Sequence, residues 1–333
     1  MKKFIKISLS ILVIAFLIYI SGPQPERPKY ILDWPEIPAL DGLDTYVSTF
    51  ESQHHLKKDN QARIVWANDT MHAQTDYAIV YLHGFSASQA EGDPVHRNLA
   101  KAFDCNLYLS RLAEHGIDTT EQLLNLTPDN YWESAKQALA IGRKLGKKVI
   151  LMGTSTGATQ ALQLAATFPD KVDGLILYSP NIAIRDPNAW LLNNPWGLDI
   201  ARIVKKGKYH DPADNRPEYA AYWNKPYRLE AIVSLQEMLE TTMQPALFQR
   251  IYQPTLMLYY YKDEQHQDEV VRIDAMKKMF NELGTESRSK QAVPIPDAGD
   301  HVLASPIKSN AADKVESITR TFLLQKLGMK LKS

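Results

Sequence analysis

The sequence has few of the residues that several functional classes need. Its 333 residues contain one cysteine, Cys105, which excludes an intramolecular disulfide framework and a zinc site built from cysteines. Lysine and arginine number 38, as do aspartate and glutamate, so the basic excess of a typical nucleic-acid-binding protein is missing. We therefore expect no nucleic-acid partner. Walker loops, dinucleotide fingerprints and paired glycosidase carboxylates are also absent from the sequence.

Long apolar runs are scarce too, and the clearest one lies near the start. Lys2, Lys3 and Lys6 precede or flank an apolar stretch, residues 7–20, that only two serines interrupt. This pattern is typical of a signal peptide or an uncleaved signal anchor over residues 1–22. Small residues are poorly placed for cleavage, so we predict a retained membrane anchor with the rest of the chain exported. Cleavage, which would make the protein secreted, and a buried N-terminal helix are the alternatives.

Short apolar segments alternate with helical patterns along the rest of the chain. The predicted strands are residues 77–82, 106–111, 147–152, 172–179, 255–261 and 292–295. The predicted helices are residues 93–103, 127–145, 158–168, 274–283 and 310–327. This alternation indicates an α/β fold with a mostly parallel sheet that is flanked by helices. We assign residues 77–180 and 250–330 to its core, and residues 23–76 to an N-terminal linker and lead-in.

Residues 181–249 interrupt the alternation. They are rich in aromatic residues and proline, and they contain no convincing strand, although residues 229–241 have an amphipathic helical pattern. We interpret this segment as a cap inserted between two strands of the sheet. Most of its aromatic residues should pack the segment onto the sheet, and some could line a substrate pocket.

A candidate nucleophile lies at the junction of a predicted strand and helix. Residues 153–157 read GTSTG and fit the pattern G-x-S-x-G. A sharp strand-to-helix turn of this kind lifts the serine hydroxyl clear of the backbone, and the helix N-terminus favours developing negative charge. We predict that Ser155 is a nucleophile. An ordinary turn capped by a serine is the alternative.

The loop after strand 77–82 reads HGFS, at residues 83–86. Acyl transfer needs backbone N–H groups that hold the oxyanion formed when a nucleophile attacks. One donor is expected from Thr156, which follows the nucleophile, and the other from Phe85 in this loop. His83 could act as a base, but we predict that its side chain braces the loop.

Together these motifs resemble the α/β-hydrolase superfamily, within its serine carboxylesterase and monoacylglycerol-lipase-like branch, whose loop typically reads H-G-F-x-x-S. The resemblance covers about residues 77–327. It implies an α/β-hydrolase fold, a cap where residues 181–249 lie, and the chain order Ser, acid, His. It also implies that His301, in the segment DAGDHVLAS, is the catalytic base, since the family's histidine follows the last strand.

The acid has two candidates after strand 255–261. Counting forward from the start of that strand selects Asp263, whereas counting backward from the next helix matches the family's D-x-V-V element and selects Asp268. The two counts differ because this chain carries extra residues, KDEQH, in the loop. We favour Asp268, because a loop absorbs an insertion more easily than a packed helix does. Glu264 and Glu269 are outside candidates.

These residues predict a serine hydrolase that cleaves small-molecule carboxylic esters through an acyl-enzyme. No metal or organic cofactor is expected. An amidase, thioesterase or peptidase on the same scaffold is an alternative, because fold alone does not fix the substrate. A non-catalytic binding protein is a second alternative, which the ordered Ser155, aspartate and His301 disfavour.

Overall fold

A seven-stranded sheet forms the centre of the molecule. The computed structural model describes residues 2–332, without the side chains of Lys2, Lys3 and Leu9. The strands in chain order are β1 (Arg63–Val65), β2 (Thr75–Leu82), β3 (Asn106–Leu109), β4 (Gly146–Thr154), β5 (Gly174–Tyr178), β6 (Tyr209–His210), β7 (Tyr227–Arg228), β8 (Thr255–Tyr259) and β9 (Lys290–Pro294). The sheet order is β1-β3-β2-β4-β5-β8-β9. Every neighbouring pair is parallel except β1 with β3.

Helices cover both faces of this sheet. They are α1 (Lys2–Ile20), α2 (Leu43–Ser52), α3 (Val95–Ala102), α4 (Pro128–Leu145), α5 (Thr156–Thr167), α6 (Gly197–Val204), α7 (Pro217–Tyr222), α8 (Leu229–Thr242), α9 (Pro245–Phe248), α10 (Ile273–Glu282) and α11 (Ala312–Lys326). Alternate residues of a strand face opposite layers. In β2, Ala78, Val80 and Leu82 join the buried cluster under α4 and α5, whereas Ile79 and Tyr81 join the cluster under α3 and α11. The predicted α/β fold with a mostly parallel sheet is confirmed.

The six predicted strands and five predicted helices are all present, with ends that differ by a few residues. Two elements of the predicted linker, α2 and β1, were not expected. β1 is short and half-buried, and it pairs antiparallel with β3 at the edge of the sheet. A three-residue edge strand has too little apolar pattern to be distinguished from a loop in the sequence.

Residues 181–249, which we call the inserted segment, lie in the chain between β5 and β8. The segment contains α6 to α9 and a small ribbon in which β6 pairs antiparallel with β7. The predicted amphipathic helix is present as α8. The ribbon was not predicted, because its strands have two residues each.

The prediction of a membrane anchor is wrong. Among the described residues, no helix is long and apolar enough to cross a membrane. α1 carries Lys6 within its second turn, so its uncharged part is residues 7–20. At about 1.5 Å per residue that part rises about 21 Å, against about 30 Å for the hydrocarbon core of a bilayer. The predicted localisation, which depended on this anchor, is therefore wrong as well.

Candidate active site

Ser155 occupies a strained turn between β4 and α5. Its φ of 53° and ψ of −117° lie in a region that residues with a side chain rarely adopt. Its amide donates to the Tyr178 carbonyl at 2.8 Å, and its carbonyl accepts from the Asn181 amide at 3.1 Å. The turn is thus held by the chain that leaves the neighbouring strand β5, and strain that is held in this way is common at functional sites.

The two glycines of the motif allow this turn to pack. A Cβ atom on Gly157 would lie 1.9 Å from the Leu82 carbonyl oxygen, and one on Gly153 would lie 2.6 Å from the Ala158 amide nitrogen. Both contacts are with backbone, which cannot swing aside. Both positions therefore require glycine, because β2, β4 and α5 approach one another closely around Ser155.

His301 and Asp268 form a buried pair at the same edge of the sheet. The His301 Nδ1 lies 2.6 Å from Asp268 Oδ2, and their side chains are 9% and 0% exposed. Asp268 Oδ1 accepts hydrogen bonds from the amides of Val270 and Val271, at 2.8 and 3.0 Å. The Ser179 hydroxyl donates to the His301 carbonyl at 2.8 Å. Carboxyl ends of parallel strands meet at one edge, which places both loops there.

Asp263, the other acid candidate, lies apart from His301. It is on an exposed turn, where its Oδ1 is 2.8 Å from the Nδ1 of His266. Its side chain is 44% exposed and that of His266 is 61% exposed. Of the outside candidates, Glu264 accepts from the Tyr261 hydroxyl at 2.9 Å, and Glu269 is exposed. The structure brings Asp268, rather than any of these, to His301.

The charges of the buried pair determine their pKa values. Burial acts to lower the pKa of His301, but the charge of Asp268 and its hydrogen bond outweigh burial and raise the pKa above the usual 6.5. Burial acts to raise the pKa of Asp268, but the His301 charge and the Val270 and Val271 amides lower it below its usual 3.8. Asp268 is therefore an anion at neutral pH, and it favours the protonated form of His301.

Ser155 and His301 line one cavity of about 870 Å³. The His301 Nε2 is buried and has no hydrogen-bond partner among residues 2–332. Apolar and aromatic side chains of the inserted segment form much of the wall. They include Leu191, Ile200, Tyr219, Trp223, Tyr227 and Ile232. His301 thus lines a space that is large enough for a small ligand, and no hydrogen bond within the described residues occupies its Nε2.

Phe85 and Thr156 line the same cavity. Within the described part of the chain, neither backbone amide donates a hydrogen bond. The Thr156 amide is at the first residue of α5, where helix N–H groups have no partner within the helix. Gly84 brings the Phe85 loop close, since a Cβ on it would lie 3.1 Å from the Cβ of Ser155.

Two buried histidines brace the Phe85 loop, one of them expected. The His83 Nε2 accepts from the Leu112 amide at 3.0 Å, and its Nδ1 donates to the Gly84 carbonyl at 2.9 Å. His115 does the same for the next part of the loop, because its Nε2 accepts from the Ser86 amide at 3.0 Å. Burial lowers the pKa of His83 to about 4, so the neutral ring that both bonds require is stable at neutral pH.

The inserted segment contacts this loop directly. The Asn224 amide donates to the Ser86 carbonyl at 2.6 Å, and Asn224 Oδ1 accepts from the Gly116 amide at 3.1 Å. Sequence reasoning found neither Asn224 nor the role of His115, because both depend on contacts between segments that are distant in the chain. Over residues 2–332, no group of three or more His, Cys, Asp or Glu side chains is placed to hold a metal ion.

Comparison with known proteins identifies the family. Residues 79–316, more than half of the chain, match the alpha/beta hydrolase family. The chain therefore belongs to that family, and membership supports a hydrolase activity. No curated protein matches the chain by sequence.

Several solved structures share the fold at low sequence identity. A structure of the metagenome-derived lipolytic enzymes LipS and LipT is 15% identical, with 80% of this chain and 98% of that chain covered and a TM-score of 0.62. The monoacylglycerol lipase of Paleococcus ferrophilus is 14% identical, with 80% and 98% covered and a TM-score of 0.58. The enol-lactonase of Burkholderia xenovorans LB400 is 14% identical, with 80% and 96% covered and a TM-score of 0.51. At these identities the likeness shows a shared fold.

Proposed function

We propose that the protein is a serine hydrolase that cleaves carboxylic esters with Ser155 as nucleophile, His301 as general base and Asp268 as the acid that orients it. The observation that carries this proposal is the buried Asp268–His301 pair, 2.6 Å apart, on the cavity that Ser155 also lines. An imidazole whose Nδ1 is bound to a carboxylate has its Nε2 available as a base.

The reaction follows from this arrangement. The His301 Nε2 takes the proton of the Ser155 hydroxyl as its oxygen attacks the ester carbonyl carbon. The amides of Phe85 and Thr156 hold the negative charge that develops on the carbonyl oxygen. The tetrahedral intermediate collapses, its C–O bond to the alcohol breaks, and His301 returns the proton to the leaving alcohol. Water, deprotonated by His301, then hydrolyses the acyl-enzyme to release the carboxylic acid and free Ser155.

The cavity wall supports an ester with an apolar acyl chain. The inserted segment contributes Leu191, Ile200 and Ile232 together with the stacked rings of Tyr219 and Trp223, whose centroids are 4.9 Å apart. Apolar walls of this kind stabilise a bound hydrocarbon chain by removing it from water. A lipase and a lipolytic enzyme are among the proteins that share the fold.

Replacement of the nucleophile tests the proposal. We expect Ser155→Ala to hydrolyse p-nitrophenyl esters of two to twelve carbons at least about 10³-fold more slowly than the parent, because no covalent intermediate can form. Ser48→Ala, on the exposed face of α2, is the matched control and should keep full activity. A fluorophosphonate probe should label the parent at Ser155. An active Ser155→Ala variant, or a parent that resists the probe, would refute the assignment.

A further inference from the structure

Glu91 is a buried carboxyl group on the same cavity, and the reaction described above does not use it. It lies in a short 3-10 turn, Gln89–Gly92, where the residue is 2% exposed. It lines the cavity together with Ser155 and His301. Carboxyl groups are rarely buried without a specific partner, so its position calls for an account.

The partner of Glu91 is the backbone beside the oxyanion donor. Glu91 Oε2 accepts a hydrogen bond from the Gly84 amide at 2.6 Å, one residue before Phe85. A Cβ atom on Gly84 would lie 2.8 and 3.0 Å from the two Glu91 oxygens and 3.1 Å from the Ser155 Cβ. The carboxyl group and the candidate nucleophile therefore both pack against Gly84, with no room for a methyl group between them.

The groups that face Glu91 come from four other parts of the chain. They are the hydroxyls of Tyr81 on β2, Tyr131 on α4 and Tyr219 on α7, and the side chains of His301 and Asp300 after β9. Burial raises the pKa of Glu91 to about 7, against the opposing effects of the Gly84 amide and His301. Its negative charge, where present, in turn raises the pKa of His301.

We propose that Glu91 is a positioning residue for the hydrolysis, which holds the oxyanion loop through the Gly84 amide and, in its ionised form, adds negative charge to the cavity that His301 lines. This proposal rests on the proposed function. The hydrogen bond fixes Gly84 and hence the direction of the adjacent Phe85 amide, a geometry on which oxyanion stabilisation depends. The charge acts on His301 in the same sense as Asp268, by favouring the imidazolium.

Two variants separate the hydrogen bond from the charge. Glu91→Gln keeps an oxygen that can accept from the Gly84 amide but removes the negative charge. We therefore expect the midpoint of the acid limb of the kcat/KM profile to shift to lower pH, by about half a pH unit or more. Glu91→Asp keeps the charge on a shorter side chain, so we expect the acid limb to stay in place and kcat to fall about tenfold, with a smaller change in KM.

Glu218→Gln is the matched control, because Glu218 is an exposed carboxylate on α7 outside the cavity. It should leave both the pH profile and kcat unchanged. Thermal unfolding checks that each variant is folded; if Glu91→Gln does not fold, Glu91→Asp decides alone. A Glu91→Gln profile that coincides with the parent's, or a Glu91→Asp variant with the parent's kcat, would overturn this role. If Ser155→Ala were active, the proposed function itself would fail instead.

Discussion

The loop after β8 contributes an aspartate to each of two aspartate–histidine pairs, and the N···O distances in these two pairs are nearly the same. Asp268 and His301 are 2.6 Å apart, and Asp263 and His266 are 2.8 Å apart. The first pair is buried at the edge of the sheet, and the second is exposed on a turn. In water an ion pair contributes little, whereas a buried pair fixes a tautomer and shifts both pKa values. A short distance between two side chains is therefore insufficient to identify a catalytic pair.

The largest expected difference between the pairs is in activity. Asp268→Asn should lower kcat for p-nitrophenyl esters by about 10⁴-fold, because an amide no longer stabilises the imidazolium or selects the required tautomer. Asp263→Asn is the matched control, and its kcat should stay within about twofold of the parent. Equal losses in the two variants, measured on folded protein, would contradict the distinction between buried and exposed pairs.

A similar contrast between a buried and an exposed site is expected for the stability effects of two glycine substitutions. Gly157→Ala would place a Cβ atom 1.9 Å from the Leu82 carbonyl oxygen, so β2 or α5 must shift. We expect the free energy of unfolding to fall by about 2 kcal/mol or more, with loss of activity. Gly207, in the inserted segment, has nothing within 4 Å of its Cβ position, so Gly207→Ala should change the free energy by at most about 0.5 kcal/mol. Thermal and chemical unfolding measure both.

The smallest expected effect is on pH dependence. In the proposed mechanism only neutral His301 accepts the Ser155 proton, so kcat/KM should fall as pH decreases through the pKa of His301. Because Asp268 raises that pKa, the midpoint should lie above 6.5, and Asp263→Asn should leave it in place. The residual activity of Asp268→Asn should have its midpoint at lower pH. A parent midpoint at or below 6.5 would show that Asp268 does not act on His301 as described.

Local patterns in the sequence predicted much of the fold. The strands β2, β4, β5 and β8 are short apolar runs that end at motifs or turns, and such runs are visible without knowledge of their neighbours. The motif at residues 153–157 located Ser155 for the same reason. The acid stayed open between Asp263 and Asp268, because only the path of the loop decides between them. A bridge between residues 261 and 267 closes a turn that contains the extra residues KDEQH. Asp268 follows directly after this turn.

Long-range contacts explain what the sequence could not predict. Glu91 lies in a polar stretch with no apolar periodicity, and its burial depends on Gly84, Tyr81 and the loop that carries His301. The membrane anchor was predicted from composition at the start of the chain, where the apolar run is too short to span a bilayer.

The hydrogen bond from the Asn224 amide to the Ser86 carbonyl has a consequence for protein engineering. Exchange of residues 181–249 is a direct way to alter the substrate range, because this segment forms much of the cavity wall. Residues 181–249 also support the loop that carries Phe85. The backbone amide of Asn224 donates to the Ser86 carbonyl, and the Asn224 Oδ1 accepts from the Gly116 amide. A chimaera that exchanges residues 181–249 would therefore also alter the loop that carries Phe85. It would leave that loop unchanged only if the graft kept Asn224 and the backbone path around it.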